Sequence, residues 1–176
     1  MKIELIPYQL VDGIPTFRDS DIRGLFDRMV SDGSADLCCR YGENIDDAKT
    51  FLRAMKRSLL FVVYVDGEIS GCIWLNGFEA RWARCHWVLF SNQWGRDSEV
   101  IGRQVLQDIM NMKSEDGQYR WDVLIGFTPS ANVRAVNYCR KSGGIILGEI
   151  PNVMWNKKTK ESELGTIVYY VRGEEL

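Results

Sequence analysis

The stretch Asn132-Val-Arg-Ala135-Val-Asn-Tyr138-Cys139-Arg-Lys-Ser-Gly143 has the punctuation of a complete short helix. Gly143-Gly144 tolerates the left-handed conformation that ends a helix. The segment therefore predicts a helix over 132–142. Its flanks set the layout around it. Residues 121–127 read as a strand before the helix, and the apolar runs 145–155 and 165–171 read as two strands after it, joined by a polar turn at 156–162.

Working toward the N-terminus, Val100, Ile101, Val105, Leu106, Ile109 and Met110 recur at helical spacing. Residues 59–65 are a continuous apolar run ended by Asp66-Gly67, a pair suited to the positive φ angles of a two-residue hairpin. The chain should return antiparallel over 68–76 and turn once more into a strand over 82–90. Before this meander, a helix capped by Asp19 or Ser20 places Ile22, Leu25, Phe26, Met29 and Val30 on one face and stops at Asp32-Gly33. A second helix from Asp46 carries Ala48, Phe51, Leu52 and Met55, and residues 2–8 form the first strand. The reading is an α/β fold: a mixed, mostly antiparallel twisted sheet of about seven strands flanked by four helices, in one domain spanning 1–176.

Bulk properties narrow the function. With 176 residues, 45% hydrophobic and 26% charged, the chain can bury one sizeable core. Its 22 basic and 24 acidic residues leave a net charge of -2, which points to no nucleic-acid partner and no membrane-surface partner. The N-terminus lacks the apolar core of a secretory signal, and no apolar run approaches the roughly 20 residues that cross a bilayer. The five cysteines, Cys38, Cys39, Cys72, Cys85 and Cys139, are odd in number and contain no CxxC pair. Reduced thiols in the cytoplasm and no metal site are expected.

Two segments, 90–102 and 132–143, give the chain its resemblance to the GCN5-related N-acetyltransferases, the GNAT superfamily, and the element order extends that resemblance over nearly its whole length. The family's loop of the form Gln/Arg-x-x-Gly-x-Gly/Ala enters a long helix and holds the pyrophosphate of acetyl-CoA on backbone amides, which sit at the positive end of the helix dipole. The resemblance thus implies acetyl-CoA as cosubstrate, no metal, and a phosphate cradle at Gly95, Arg96, Asp97, Ser98 and Glu99. Here Gly95 is one place out of step and Ser98 stands for the last glycine. Arg96 could pair with phosphate, whereas Asp97 and Glu99 oppose an anion. In the bland alternative, Asp97 or Ser98 caps the helix and Gly95 serves a turn.

Asn132, Ala135 and Gly143 match the family's later helix. Where the family keeps a tyrosine that protonates the departing thiolate, this chain has Cys139, and Tyr138 lies one place earlier. One step turns a side chain about 100° around a helix, so only one of the two can face the sulfur. Both can remain protonated at neutral pH and donate; either could equally be a packing residue.

By resemblance, Val88, Leu89 and Phe90 supply main-chain groups to the pantetheine and the thioester oxygen, and the neighbouring strand splays away near 125–127. His86, the one histidine, is the candidate general base or else a hydrogen-bonded structural residue. Trp74, Trp82, Trp87, Trp94 and Trp155 either wall an acceptor pocket or fill core. The implied activity moves an acetyl group directly from the thioester to a primary amine of a small molecule or peptide, with a homodimer admitted. The alternative is an inactive GNAT-like module that binds acyl-CoA or a protein partner in an assembly role. Covalent catalysis through Cys139 or Cys85 is a third reading.

Overall fold

A computed structural model describes residues 1–41, 45–95 and 97–173. Nine strands and five α-helices follow in the order β1 (Ile3–Pro7), β2 (Leu10–Val11), β3 (Ile14–Pro15), α1 (Asp19–Ser31), α2 (Ser34–Cys38), α3 (Ala48–Met55), β4 (Leu59–Val65), β5 (Glu68–Glu79) and β6 (Trp82–Leu89) among the described residues. A 3-10 turn, Ser91–Gln93, leads on to α4 (Ser98–Met110), β7 (Val123–Pro129), α5 (Val133–Lys141), β8 (Ile145–Asn156) and β9 (Glu161–Val171). Seven strands hydrogen-bond in the order β1-β4-β5-β6-β7-β9-β8. Only β6 and β7 pair in parallel among the ladders described, so the mostly antiparallel sheet expected from the sequence is the one observed.

The described residues form two compact units, Met1–Asn76 with His86–Trp94, and Gly77–Cys85 with Gly95–Leu176. In the first, α1 and α3 cover one face of β4 and β5. Ile22, Leu25, Phe26 and Met29 from α1 meet Phe51, Leu52 and Met55 from α3 over Leu60, Val62, Cys72 and Trp74. Phe51 joins Phe26 at 5.6 Å and Trp74 edge-on at 6.1 Å, the offset and T-shaped geometries that aromatic quadrupoles favour. The Asp66-Gly67 turn has φ of 50° and 85°, which sets the antiparallel register Val65↔Glu68. Gly71 is required by close approach: a Cβ there would lie 2.2 Å from the Val88 carbonyl oxygen.

In the second unit, β9 lies between β7 and β8, with pairs running from Val123↔Val171 to Pro129↔Gly165 and from Ile145↔Tyr169 to Asn156↔Glu161. The parallel ladder of β6 and β7 is three pairs long, from Trp82↔Val123 to Arg84↔Ile125, and ends where the splay was expected. Asp122 ties this region together by bonding both Arg81 and Arg172.

Several local expectations are corrected. Helix α1 is entered from Arg18, whose backbone N–H donates to the Asp21 carboxylate at 2.8 Å, so Asp19 and Ser20 are its first residues instead of its cap. Val30 is 56% exposed, because the helix stripe narrows at its last turn. The short α2 makes five helices instead of four, and the β2–β3 hairpin, built on Asp12-Gly13 with φ of 51° and 79°, adds a two-stranded sheet.

Candidate active site

The loop expected to cradle phosphate begins at Gly95, whose φ of 136° favours glycine, and an added Cβ there meets nothing within 4 Å. Ser98 opens α4, with both its amide and its hydroxyl donating to the Gly95 carbonyl, at 3.3 and 2.7 Å. Asp97 sits at the N-cap in right-handed conformation and its side chain makes no cap hydrogen bond. Of the capping alternative, the turn at Gly95 is present, closed by the Ser98 amide, and Asp97 occupies the N-cap position, but neither Asp97 nor Ser98 supplies a side-chain acceptor to the first turn. Arg96 lies outside the described residues. Glu99 is drawn toward Lys141, Oε2 to Nζ 3.6 Å, which offsets part of its opposition to an anion at this terminus.

Helix α5 begins at Val133, one residue after the expected start. Asn132 is its N-cap and accepts from the Ala135 amide at 3.2 Å. Asn132, expected from the resemblance among the cofactor-binding residues, thus has its side-chain oxygen engaged in holding the helix. Tyr138 and Cys139 diverge around α5. The Tyr138 hydroxyl comes to α4 at Gly102, where a Cβ would stand 2.5 Å from it and 2.3 Å from the Ser142 hydroxyl. Cys139 turns to the sheet, its Sγ 3.9 Å from the Thr128 hydroxyl and hydrogen-bonded to Tyr170. Burial pushes the Cys139 thiol above its ordinary value, and its hydrogen bonds with Thr128 and Tyr170 only partly offset this. Burial, with Cys139 as neighbour, raises the Cys85 thiol as well. Thiols held protonated are weak nucleophiles, which disfavours covalent catalysis at either cysteine.

On β6, Val88, Leu89 and Phe90 are 4%, 7% and 1% exposed. The Phe90 amide donates to the Ser70 carbonyl at 2.8 Å, and the Leu89 carbonyl accepts from the Trp94 indole at 2.8 Å. Phe90 is therefore committed to β5 through its N–H, the Leu89 carbonyl to Trp94, and the Val88 carbonyl faces Gly71. His86 lies flat on Trp74, ring centroids 5.1 Å apart, with Nε2 3.1 Å from the Asn76 amide oxygen. This geometry fixes the ring and fits the structural alternative well. Trp74 is core at 2% exposure, whereas Trp94 and Trp155 are 49% and 45% exposed.

The feature that sequence reading missed is a basic cavity of about 410 Å³ in the second unit, lined by Ser98 of α4 and by Arg134, Asn137, Tyr138, Arg140 and Lys141 of α5. The signal was present: 134, 137, 138 and 141 share one face of a 3.6-residue helix.

No protein-family model and no curated protein sequence matches the chain. Solved structures do. The acetyl transferase of Salmonella typhimurium that modifies the N-terminal serine of 50S ribosomal subunit protein L7/L12 superposes with a TM-score of 0.73 at 11% identity, over 96% of this chain and 94% of that one. The chain has the GNAT acetyltransferase fold. Spermidine N-acetyltransferase from Vibrio cholerae, solved with CoA and spermine, gives 0.69 at 11% identity over 98% and 97% of the two chains. An acetyltransferase of the GNAT family from Streptococcus pneumoniae gives 0.60 at 10% identity, over 97% and 100%. The GNAT architecture thus extends from β1 to β9, including the strand–helix–strand run that holds the Asn132 helix.

Proposed function

We propose that the chain is a single-domain, cytoplasmic, acetyl-CoA-dependent N-acetyltransferase that moves an acetyl group from the thioester directly to a primary amine of a small molecule or peptide. The observation that supports this most is the entry to α4. A positive-φ glycine with open space beside it leads into a helix whose N-cap side chain leaves the first turn uncovered, at the place where GNAT proteins hold coenzyme pyrophosphate. The acceptor class rests on neighbours in fold that modify a protein N-terminus or spermidine.

In the reaction, the neutral amine attacks the thioester carbonyl and its negative charge gathers on the carbonyl oxygen, which main-chain donors stabilise. The carbon–sulfur bond then breaks, the sulfur takes a proton, and the ammonium loses one to a base or to water. Cys139 is the donor we favour, since burial keeps its thiol protonated and Tyr170 bonds to it. When bound, acetyl-CoA supplies the activated acyl group; everything else is positioning.

Calorimetric titration with acetyl-CoA tests the reading first. Binding in the micromolar range followed by free-thiol release with members of an amine panel supports it. Binding without turnover across protein N-terminal peptides and polyamines would move the chain to the inactive-module alternative, and no binding at high micromolar ligand would remove both.

A further inference from the structure

In the second unit the two faces of the sheet differ. Thr128 of β7 lies against Cys139, and Tyr170 of β9 is hydrogen-bonded to it, so these residues look toward α5. Ala83, Leu124, Val168 and Tyr170, which share that face by register, are 5% exposed or less. Side chains alternate across a strand and directly opposed residues share a face, so the pairs Ile125↔Tyr169 and Phe127↔Ile167 belong to the other side. All four of these residues are only half-buried. Arg84 of β6 joins them. It pairs with Ile125 in the last rung of the parallel ladder, and its guanidinium stands over the Phe127 ring, 4.9 Å from the centroid.

We propose that Arg84 is the specificity-determining residue of the acceptor face, and that it selects a primary amine that also carries a carboxylate over a polyamine. The proposal rests on the acetyltransferase reading above and narrows its acceptor class. The thiol favoured as proton donor to the departing sulfur is on the α5 face, so the coenzyme sulfur belongs to that side. The amine then reaches the carbonyl carbon from the face opposite, where Arg84 is the cation. Two other guanidinium groups of this unit, Arg81 and Arg172, are both engaged by Asp122, whereas Arg84 is exposed and meets no carboxylate among the described residues. The Phe127 ring holds the cation without neutralising it, which leaves its planar donors in place for a two-pronged contact with a carboxylate. The apolar residues beside it strengthen such a pair relative to one in water. Specificity is a difference of affinities, and one cation serves it in both directions, by attracting an acid and by repelling the additional ammonium groups of a polyamine.

The test measures kcat/KM for matched acceptors: γ-aminobutyrate against its amide, and tripeptide amides that differ only in glutamate or glutamine at the second position, with spermidine as the polycation. The variants are Arg84→Gln, Arg84→Glu and the charge-keeping Arg84→Lys; the side chain is exposed, and melting scans check that each variant folds. In the wild type at least one acid should exceed its amide by about tenfold, with the difference carried by KM. The arm that shows it tells whether the acid is read on a small molecule or on a peptide. That ratio should fall to about twofold in Arg84→Gln, stay above about fivefold in Arg84→Lys, and reverse in Arg84→Glu, where spermidine should gain. No acid preference, or one that survives in Arg84→Gln, overturns the inference and leaves the acetyltransferase reading standing. If no acceptor turns over, that reading falls and NMR titration with the same pairs decides the inference. Acid-selective binding that is lost in Arg84→Gln keeps the site; equal or absent binding removes it as well.

Discussion

Tyr138 and Cys139 are neighbours in sequence with separate surroundings, one against Gly102 and the other against Thr128 and Tyr170. If Cys139 gives the proton to the departing sulfur, Cys139→Ala should lower kcat by about 100-fold, the lower end of what a general acid supplies, with KM little changed. Tyr138→Phe should stay within about twofold of wild type, since its hydroxyl faces α4. The raised Cys139 thiol adds a pH signature. The donor stays protonated through its ordinary range, so the alkaline fall in kcat should come above about pH 8.5 and vanish in Cys139→Ala. A second residue carries a stability signature. Hydrogen bonds from Arg81 and then Arg172 hold the Asp122 carboxyl well below its usual range, so its stabilisation is present above the unfolded carboxylate value and is lost as pH falls toward the folded one. Asp122→Asn should unfold at lower urea than wild type at pH 7, and the two midpoints should converge as pH falls below about 4.

At the scale of elements, the junction of α4 with α5 depends on Gly102. Alanine is the better helix former by roughly 1 kcal/mol, yet its Cβ would stand 2.9 Å from the Ser142 Cβ, close to the backbone where little can give. Gly102→Ala should therefore be net destabilising by about 1–3 kcal/mol in urea unfolding and should weaken coenzyme binding, because α5 must shift. Most elements were legible because their signals are local. The apolar run over β4, the Asp66-Gly67 turn and the Gly143-Gly144 stop of α5 each act within a few residues. Two were missed for different reasons. The β2–β3 hairpin had the same Asp-Gly signal at Asp12-Gly13, but its strands, Leu10–Val11 and Ile14–Pro15, are two residues long and show no period. Helix α2, at five residues, is shorter than any periodic pattern can mark. The basic cavity escaped because Arg134, Arg140 and Lys141 read as ordinary charges on a solvated helix until Ser98 of α4 is set beside them.

For the whole molecule, a ligand that binds only the folded chain must raise its melting temperature. Acetyl-CoA at 100 times its Kd adds about 2.7 kcal/mol, which for a chain of this size should read as an increase of roughly 5–10 °C in a melting scan. The sequence by itself determined the order of the main strands and helices and the Asp66-Gly67 turn, because periodicity and glycine φ are short-range and act wherever those residues stand. It also placed the start of α4 and the Asn132 helix. Only the tertiary structure decided what each side chain meets: His86 flat on Trp74, Phe90 bonded to Ser70, Cys139 against Thr128 and Tyr170, and three α5 cations gathered at Ser98. Those contacts join residues far apart in the chain, and a neighbour's identity, burial and charge are set by strand register and helix packing, which no local pattern specifies.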